Sequence, residues 1–315
     1  MSFPIVQPPL PQFDVRIDPP NLDPWREGNI GIPGFTRIAS AMPGPRVVLL
    51  ALTHGNEYSG AIVLDRLLRD GFRPLCGTLT IGFVNLAAFD RFDPQQPTLS
   101  RFIDEDINRL WDEAVLDGPR RSAELDRARQ IRPVIETADV LVDLHSMLWP
   151  SDPLTLCGVT EKGRRLAAGI AAPMLVVADH GHANGRRIID YPRFVDPDNA
   201  AVANLVEAGQ HWEPLAVEMA QASVTGVLRH MGMLTTDTSP LPPRIATVTD
   251  VVTAQTANFA FLQPYRGGEV IGLRNTLIAL DGDNEVRTPY DDCLLVMPSL
   301  RPSRGHMAVR LAAFQ

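Results

Sequence analysis

The chain has 315 residues, 45% of them hydrophobic, and a formal net charge of −8 at pH 7. That length allows roughly two domains of about 100–200 residues, and the acidic balance argues against a nucleic-acid-binding surface, which is usually basic. Cys76, Cys157 and Cys293 form no disulfide framework and no C-x-x-C metal pair, and no apolar stretch is long enough to serve as a signal peptide or membrane span, so a cytoplasmic protein with no membrane partner is expected.

Residues 1–29 are rich in proline and are predicted to form an extended arm. A short β segment is expected over 31–40. Val47 to Leu52 is a continuous apolar run, the pattern of a strand covered on both faces. The run stops at Thr53-His54-Gly55-Asn56-Glu57, and a helix is predicted over 58–69. His54 and Glu57 therefore sit at the carboxyl end of a strand, the edge where open α/β sheets place ligands. A strand follows at 77–85. Residues 85–111 then form a long loop with Pro94 and Pro97; loops of that length in a compact domain tend to be functional. A helix is predicted over 119–137, strands over 138–146 and 154–157, a helix over 162–172 and a strand over 174–178. Next come a helix over 199–209, a strand over 215–219 and a helix over 223–234.

This alternation argues for a mostly parallel or mixed sheet with helices on both faces. Residues 235–243 read as a linker. Beyond it lie only short strands, at 246–253, 259–262, 269–271, 276–279, 285–287, 293–297 and 307–311, between Gly, Pro, Asp and Asn turns. The expected organisation is an α/β domain over 1–240 and a small all-β domain over 241–315.

An H-x-x-E pair at a strand end suggests a metal, since imidazole nitrogen and carboxylate oxygen are both good zinc ligands. A solvated surface pair fits the two residues equally well. Asp143-Leu144-His145-Ser146 ends another apolar strand, and Asp143 and His145 share one side of it. That pair fits either a third ligand or a core histidine bonded to Asp143. His180 and His182 form H-x-H in a loop, a weaker indication of a second metal. His211, His230 and His306 have no neighbours that suggest chemistry.

Taken together, H-G-N-E at 54–57, R-F-I-D-E-D-I-N-R at 101–109 and D-L-H-S at 143–146 resemble the aspartoacylase and succinylglutamate desuccinylase family, related in fold to the zinc carboxypeptidases. The resemblance covers about residues 46–235 and extends loosely to a C-terminal β domain. It implies one zinc ion per chain, held by His54, Glu57 and His145. It implies that Arg101 assists zinc at the carbonyl oxygen, and that Asn108 and Arg109 grip a substrate carboxylate. Arg offers a planar fork for that task and Asn a directional donor. Glu218, read as the end of a strand LAVEM, is the expected general base, with Glu213 the competing assignment. Arg186 and Arg187 are positional choices for a second carboxylate contact, and Tyr290, in a turn of the β domain, for reaching the substrate.

The expected activity is a zinc-dependent amidohydrolase that removes an acyl group from an N-acyl amino acid or related small carboxylate. The alternatives are a metallocarboxypeptidase acting on short peptides and a non-catalytic zinc-binding pseudoenzyme. A small-molecule N-acyl substrate is the expected partner, with no nucleic acid, and homo-oligomerisation is left open.

Overall fold

The computed structural model describes residues 13–236 and 241–315. The first twelve residues of the proline-rich arm and residues 237–240 of the expected linker lie outside that description.

The strand at the heart of the sheet is β2 (Arg46–Ala51), buried from Val47 onward. Its side chains alternate between two cores, as a period of two requires. Val47, Leu49 and Ala51 enter one cluster, and Val48 and Leu50 the other. Around it lie β1 (Phe35–Ala39), β3 (Thr78–Phe83), β4 (Val140–Met147), β5 (Leu154–Leu156), β6 (Leu175–Ala178), β7 (Val202–Gln210) and β8 (Arg244–Thr253). Parallel pairing joins β3, β2, β4 and β7, and also β5, β6 and β8, while β5 meets β7 antiparallel.

Four helices of ten residues or more cover the sheet: α1 (Ser59–Arg69), α2 (Ala123–Thr137), α3 (Glu161–Ile170) and α4 (Pro214–His230). Helices α1, α3 and α4 pack into the cluster that holds Leu49, and α2 packs into the one that holds Leu50. Helices thus lie on both faces, as the alternation of elements predicts. No described helix is long and apolar enough to cross a membrane.

Two elements differ from the sequence reading. Residues 199–209, expected as a helix, are instead mostly strand β7. Residues 215–219, expected as a strand, are the first turns of α4. The physical signals for the observed arrangement are present. Pro214 occupies the first helical position, where its missing N–H costs nothing. Ala216, Val217, Ala220, Val224 and Val227 then recur at helical spacing and are buried.

The C-terminal segment is strand-rich, as expected, but its sheet is not separate. Strand β8 pairs with β14 (Met307–Phe314), which pairs with β13 (Cys293–Val296), which pairs with β10 (Val270–Ile271). These extend the main sheet to eleven strands, in the order β1-β3-β2-β4-β7-β5-β6-β8-β14-β13-β10. The sheet therefore runs unbroken across the expected domain boundary at 240/241. Only β9 (Phe259–Phe261), β11 (Leu277–Asp281) and β12 (Asn284–Arg287) form a second, three-stranded sheet.

Gly55 shows how tightly the H-G-N-E turn is held. A Cβ built there would lie 2.5 Å from backbone atoms of Ala88, Phe89 and Ser100. Backbone cannot rotate away as a side chain can. Gly55→Ala is therefore expected to destabilise the fold by about 1–3 kcal/mol, as overpacking does, and to displace His54. A urea titration read beside metal affinity checks both effects.

Candidate active site

Three segments converge at the carboxyl ends of the parallel strands. Strand β2 hands over at Leu52, whose φ of 58° is unusual for a bulky residue. Trp212, just after β7, and Met297, which lines the same cavity, also have positive φ. Such strain persists only where the surroundings over-determine it, and it clusters at functional sites. Strand β4 delivers His145, and β7 pairs with it in parallel so that His145 lies opposite Glu207. By the alternation of the pleat, Asp143, His145, Leu205 and Glu207 share one face.

The third segment is the loop 101–109. Its backbone is gathered by Glu124 of α2, a buried carboxylate that accepts from the N–H groups of Ile103, Asp104 and Glu105 at 2.6, 3.0 and 3.2 Å. The Gly55 N–H donates to the Arg101 carbonyl, tying this loop to the His54 turn.

His54, Glu57 and His145 are all buried, and each offers one ligand atom within 4.8 Å of the others. Their surroundings fit a metal. The His54 Nε2 faces Asp106 Oδ1 at 2.8 Å, and the His145 Nε2 faces Asp143 Oδ2 at 2.7 Å. Carboxylates on the outer nitrogens of metal-binding histidines fix ring orientation and raise ligand basicity. Both Nδ1 atoms are thereby left toward Glu57. The His54 Nδ1 lies 2.8 Å from Glu57 Oε1, yet it has no aligned hydrogen-bond partner among the described residues. Two close polar atoms that do not bond each other suit a shared cation. Burial alone would push the Glu57 pKa up, but His54 and His145 draw it well below the usual value. Burial likewise opposes a charged His145, but Asp143 and Glu57 raise its pKa well above the ordinary value.

These residues line a cavity of about 210 Å³ together with Arg101, Asn108, Arg109, His182, Arg187, Glu207 and His211. The Arg101 guanidinium donates to Glu57 at 2.8 Å and to Asp106 at 3.2 Å. The Asn108 Oδ1 accepts from the Ile188 N–H at 2.8 Å, which fixes the amide plane. Arg109 donates to the Asn108 carbonyl, and its nearest carboxylate, Asp106, is 3.8 Å away. Burial lowers the Arg109 pKa, and the neighbouring arginines add to that effect.

Glu207 is the most unusual group in the cavity. It is buried, and its Oε2 has no hydrogen-bond partner among the described residues. Burial, reinforced by the Glu57 charge, pushes its pKa up to about 8 against the pull of His145. Unpartnered buried carboxylates are costly and mark functional sites.

His54, Glu57, His145, Arg101, Asn108 and Arg109 thus meet as the motifs suggest. Arg187 also reaches the cavity wall, but Asp179 and Asp190 hold it there. Three expected site residues are not brought to the cavity. Glu218 is exposed on α4, because the segment is a helix and its buried face carries Val217 and Ala220. Glu218→Ala is accordingly expected to leave turnover within about twofold, as for surface changes of under 0.5 kcal/mol; steady-state kinetics check this. Arg186 is exposed and pairs with Asp112 at 3.3 Å. Tyr290 shares a hydrogen bond with Thr249 and packs with the C-terminal strands. The competing base Glu213 sits just before α4, where its side chain makes no capping hydrogen bond, and pairs with Arg16.

Two cavity residues, Glu207 and His211, are not assigned a role by the sequence reading. Glu207 follows the apolar run Leu205-Val206 and precedes Ala208-Gly209, the pattern of a strand ending at a turn. His211 lies close behind, with its Nδ1 2.7 Å from Ser146 Oγ. Burial lowers its pKa to about 4. His182 lines the cavity as well, whereas His180 is exposed, so the H-x-H pair does not act as a unit.

A mixed α/β sheet thus carries a buried His-Glu-His group with an unpaired carboxylate beside it. Residues 43–187 match the model of the succinylglutamate desuccinylase/aspartoacylase catalytic domain. Solved structures agree in fold. Succinylglutamate desuccinylase from Vibrio parahaemolyticus superposes with a TM-score of 0.68 at 14% identity, over 90% of this chain and 86% of that one. A succinylglutamate desuccinylase/aspartoacylase from Rhodobacter sphaeroides gives 0.66 at 20% identity, over 91% and 90%. The product-bound ectoine utilization protein EutE (DoeB) from Ruegeria pomeroyi gives 0.62 at 18% identity, over 89% and 88%. A comparison with curated proteins gives no match.

Proposed function

We propose that the protein is a zinc-dependent amidohydrolase that removes the acyl group from an N-acyl amino acid or a related small carboxylate. The observation that carries this reading is Glu207, a buried unpaired carboxylate set opposite His145 beside the three-residue ligand group. His54, Glu57 and His145 would hold the metal. Two imidazoles and one carboxylate suit zinc, and a bound zinc ion supplies a Lewis acid and lowers the pKa of water to about 7.

The remaining steps belong to side chains. Asn108 and Arg109 anchor the substrate carboxylate, since Arg109 carries the least compensated positive charge on the wall. Arg101 donates toward the carbonyl oxygen as negative charge develops there. Glu207 accepts a proton from the attacking water and returns it to the departing amine, the work of a general acid–base group. Asp106 and Asp143 keep the two imidazoles in one tautomer.

The test is hydrolysis of a panel of N-acetyl amino acids, followed by free amine release. Activity should be abolished by a chelator and restored by stoichiometric zinc. Cleavage of short peptides but no N-acyl amino acid would favour a carboxypeptidase. Metal binding with neither activity would reject the hydrolytic reading.

A further inference from the structure

Arg187, in the cavity wall, and Arg310, which bonds the wall residue His182, are two buried arginines whose charge is matched by carboxylates. Arg187 is buried, and four of its guanidinium hydrogen bonds go to carboxylates. Its Nη atoms meet both oxygens of Asp179 at 3.0 and 2.8 Å, while Nε and one Nη meet Asp190 at 2.7 and 2.9 Å. Arg310 of β14 is equally buried. It donates to the His182 Nε2 at 3.0 Å, and its Nε lies 3.5 Å from Asp179. Two arginines and two aspartates make a quartet of no net charge. His182, which burial and the surrounding arginines keep neutral, adds none.

A second substrate carboxylate would therefore find no spare cation on this wall. Withdrawing Arg187 from Asp179 would strand a buried carboxylate, and breaking such a pair costs far more than it returns. Arg109 differs, with its closest carboxylate at 3.8 Å. The rest of the wall is mainly apolar, with Ser146, Ser151, Ser299 and His211 as its uncharged polar members. Met147, Trp149, Leu156, Leu205, Met297 and Met307 line it, the last two from the C-terminal strands that join the main sheet.

We infer that the substrate carries a single carboxylate, bound at Arg109 and Asn108, and that the group filling the remainder of the cavity is uncharged and apolar; N-acylated leucine, methionine or phenylalanine fits, and a dicarboxylate such as N-acetylaspartate or N-succinylglutamate does not. This inference rests on the proposed hydrolase reading of the same site. Pockets of this kind discriminate by leaving charged groups unpaired.

The experiment compares kcat/KM of the zinc-loaded enzyme for N-acetyl-leucine, N-acetylmethionine, N-acetylphenylalanine, N-acetyllysine, N-acetylaspartate and N-succinylglutamate. In parallel, calorimetry measures binding of the same ligands to the Glu207→Gln protein. The apolar ligands should lead by at least tenfold in both measurements. Asp190→Asn, at the less buried end of the quartet, should narrow the gap for N-acetylaspartate by releasing part of Arg187. Asp179→Asn should do the same wherever it folds. Equal or better use of a dicarboxylate or of N-acetyllysine overturns the inference while leaving the hydrolase intact. Turnover and binding of no N-acyl ligand overturn both.

Discussion

Glu207→Gln is expected to lower kcat by about 10²–10⁴-fold, the usual worth of a positioned acid–base group, while the protein keeps its metal and its fold. The amide has nearly the shape of the carboxylate but cannot take a proton from water. Glu207 is not one of the three ligand residues, so metal content measured by elemental analysis should stay at the wild-type value. Stability should not fall either. The wild-type carboxylate is buried with an unpartnered oxygen, so a neutral side chain relieves a desolvation cost. An unchanged or higher Tm, full metal and lost turnover together separate a chemical role from a structural one. Retained turnover would remove Glu207 from the reaction.

The second large effect is expected from His145→Ala. Metal content should drop to background and activity with it. Stability of the metal-free protein should also fall, by about 3–5 kcal/mol, as when one partner of a buried ion pair is removed. The reason lies in the neighbours. The His145 imidazole bridges Asp143 at 2.7 Å and Glu57 at 2.9 Å, and both carboxylates are buried. Without the ring they face each other with less compensation; Asp143 keeps Thr53 and Glu57 keeps Arg101. His54→Ala should abolish metal binding as fully but cost less stability, because its partner Asp106 retains Arg101 at 3.2 Å. Denaturant titrations of both metal-free variants give the comparison; equal losses would contradict this account.

The legible parts of the site were those written into short local strings. His54 and Glu57 lie in one turn, Arg101 to Arg109 in one loop, and His145 at the end of an apolar run. Each string carries its own chemistry, so order along the chain was enough. Glu207 was harder to read because the two segments around it are ambiguous. Leu-Ala-Val-Glu-Met is too short to tell a strand from a helical turn by periodicity. Reading it as a strand put the carboxylate of α4 where that of β7 belongs. The proline at position 214 was the better guide. The neutral quartet was illegible for a different reason. Asp179, Arg187 and Asp190 are close in sequence, but Arg310 arrives from the last strand. Charge balance on a buried wall depends on partners that no local pattern reveals. The continuity of the sheet past residue 240 was hidden in the same way, since strand pairing is not a property of one strand.

The family's catalytic-domain match ends at residue 187, but β7 begins at Val202 and lies between β4 and β5 in the sheet. A fragment cut at the end of the match would leave the inner flank of β4 without its neighbour and would discard Glu207 along with Met297, Met307 and Arg310. The smallest fragment that keeps the cavity whole is thus set by hydrogen-bonded adjacency. For this chain it reaches almost to the final residue.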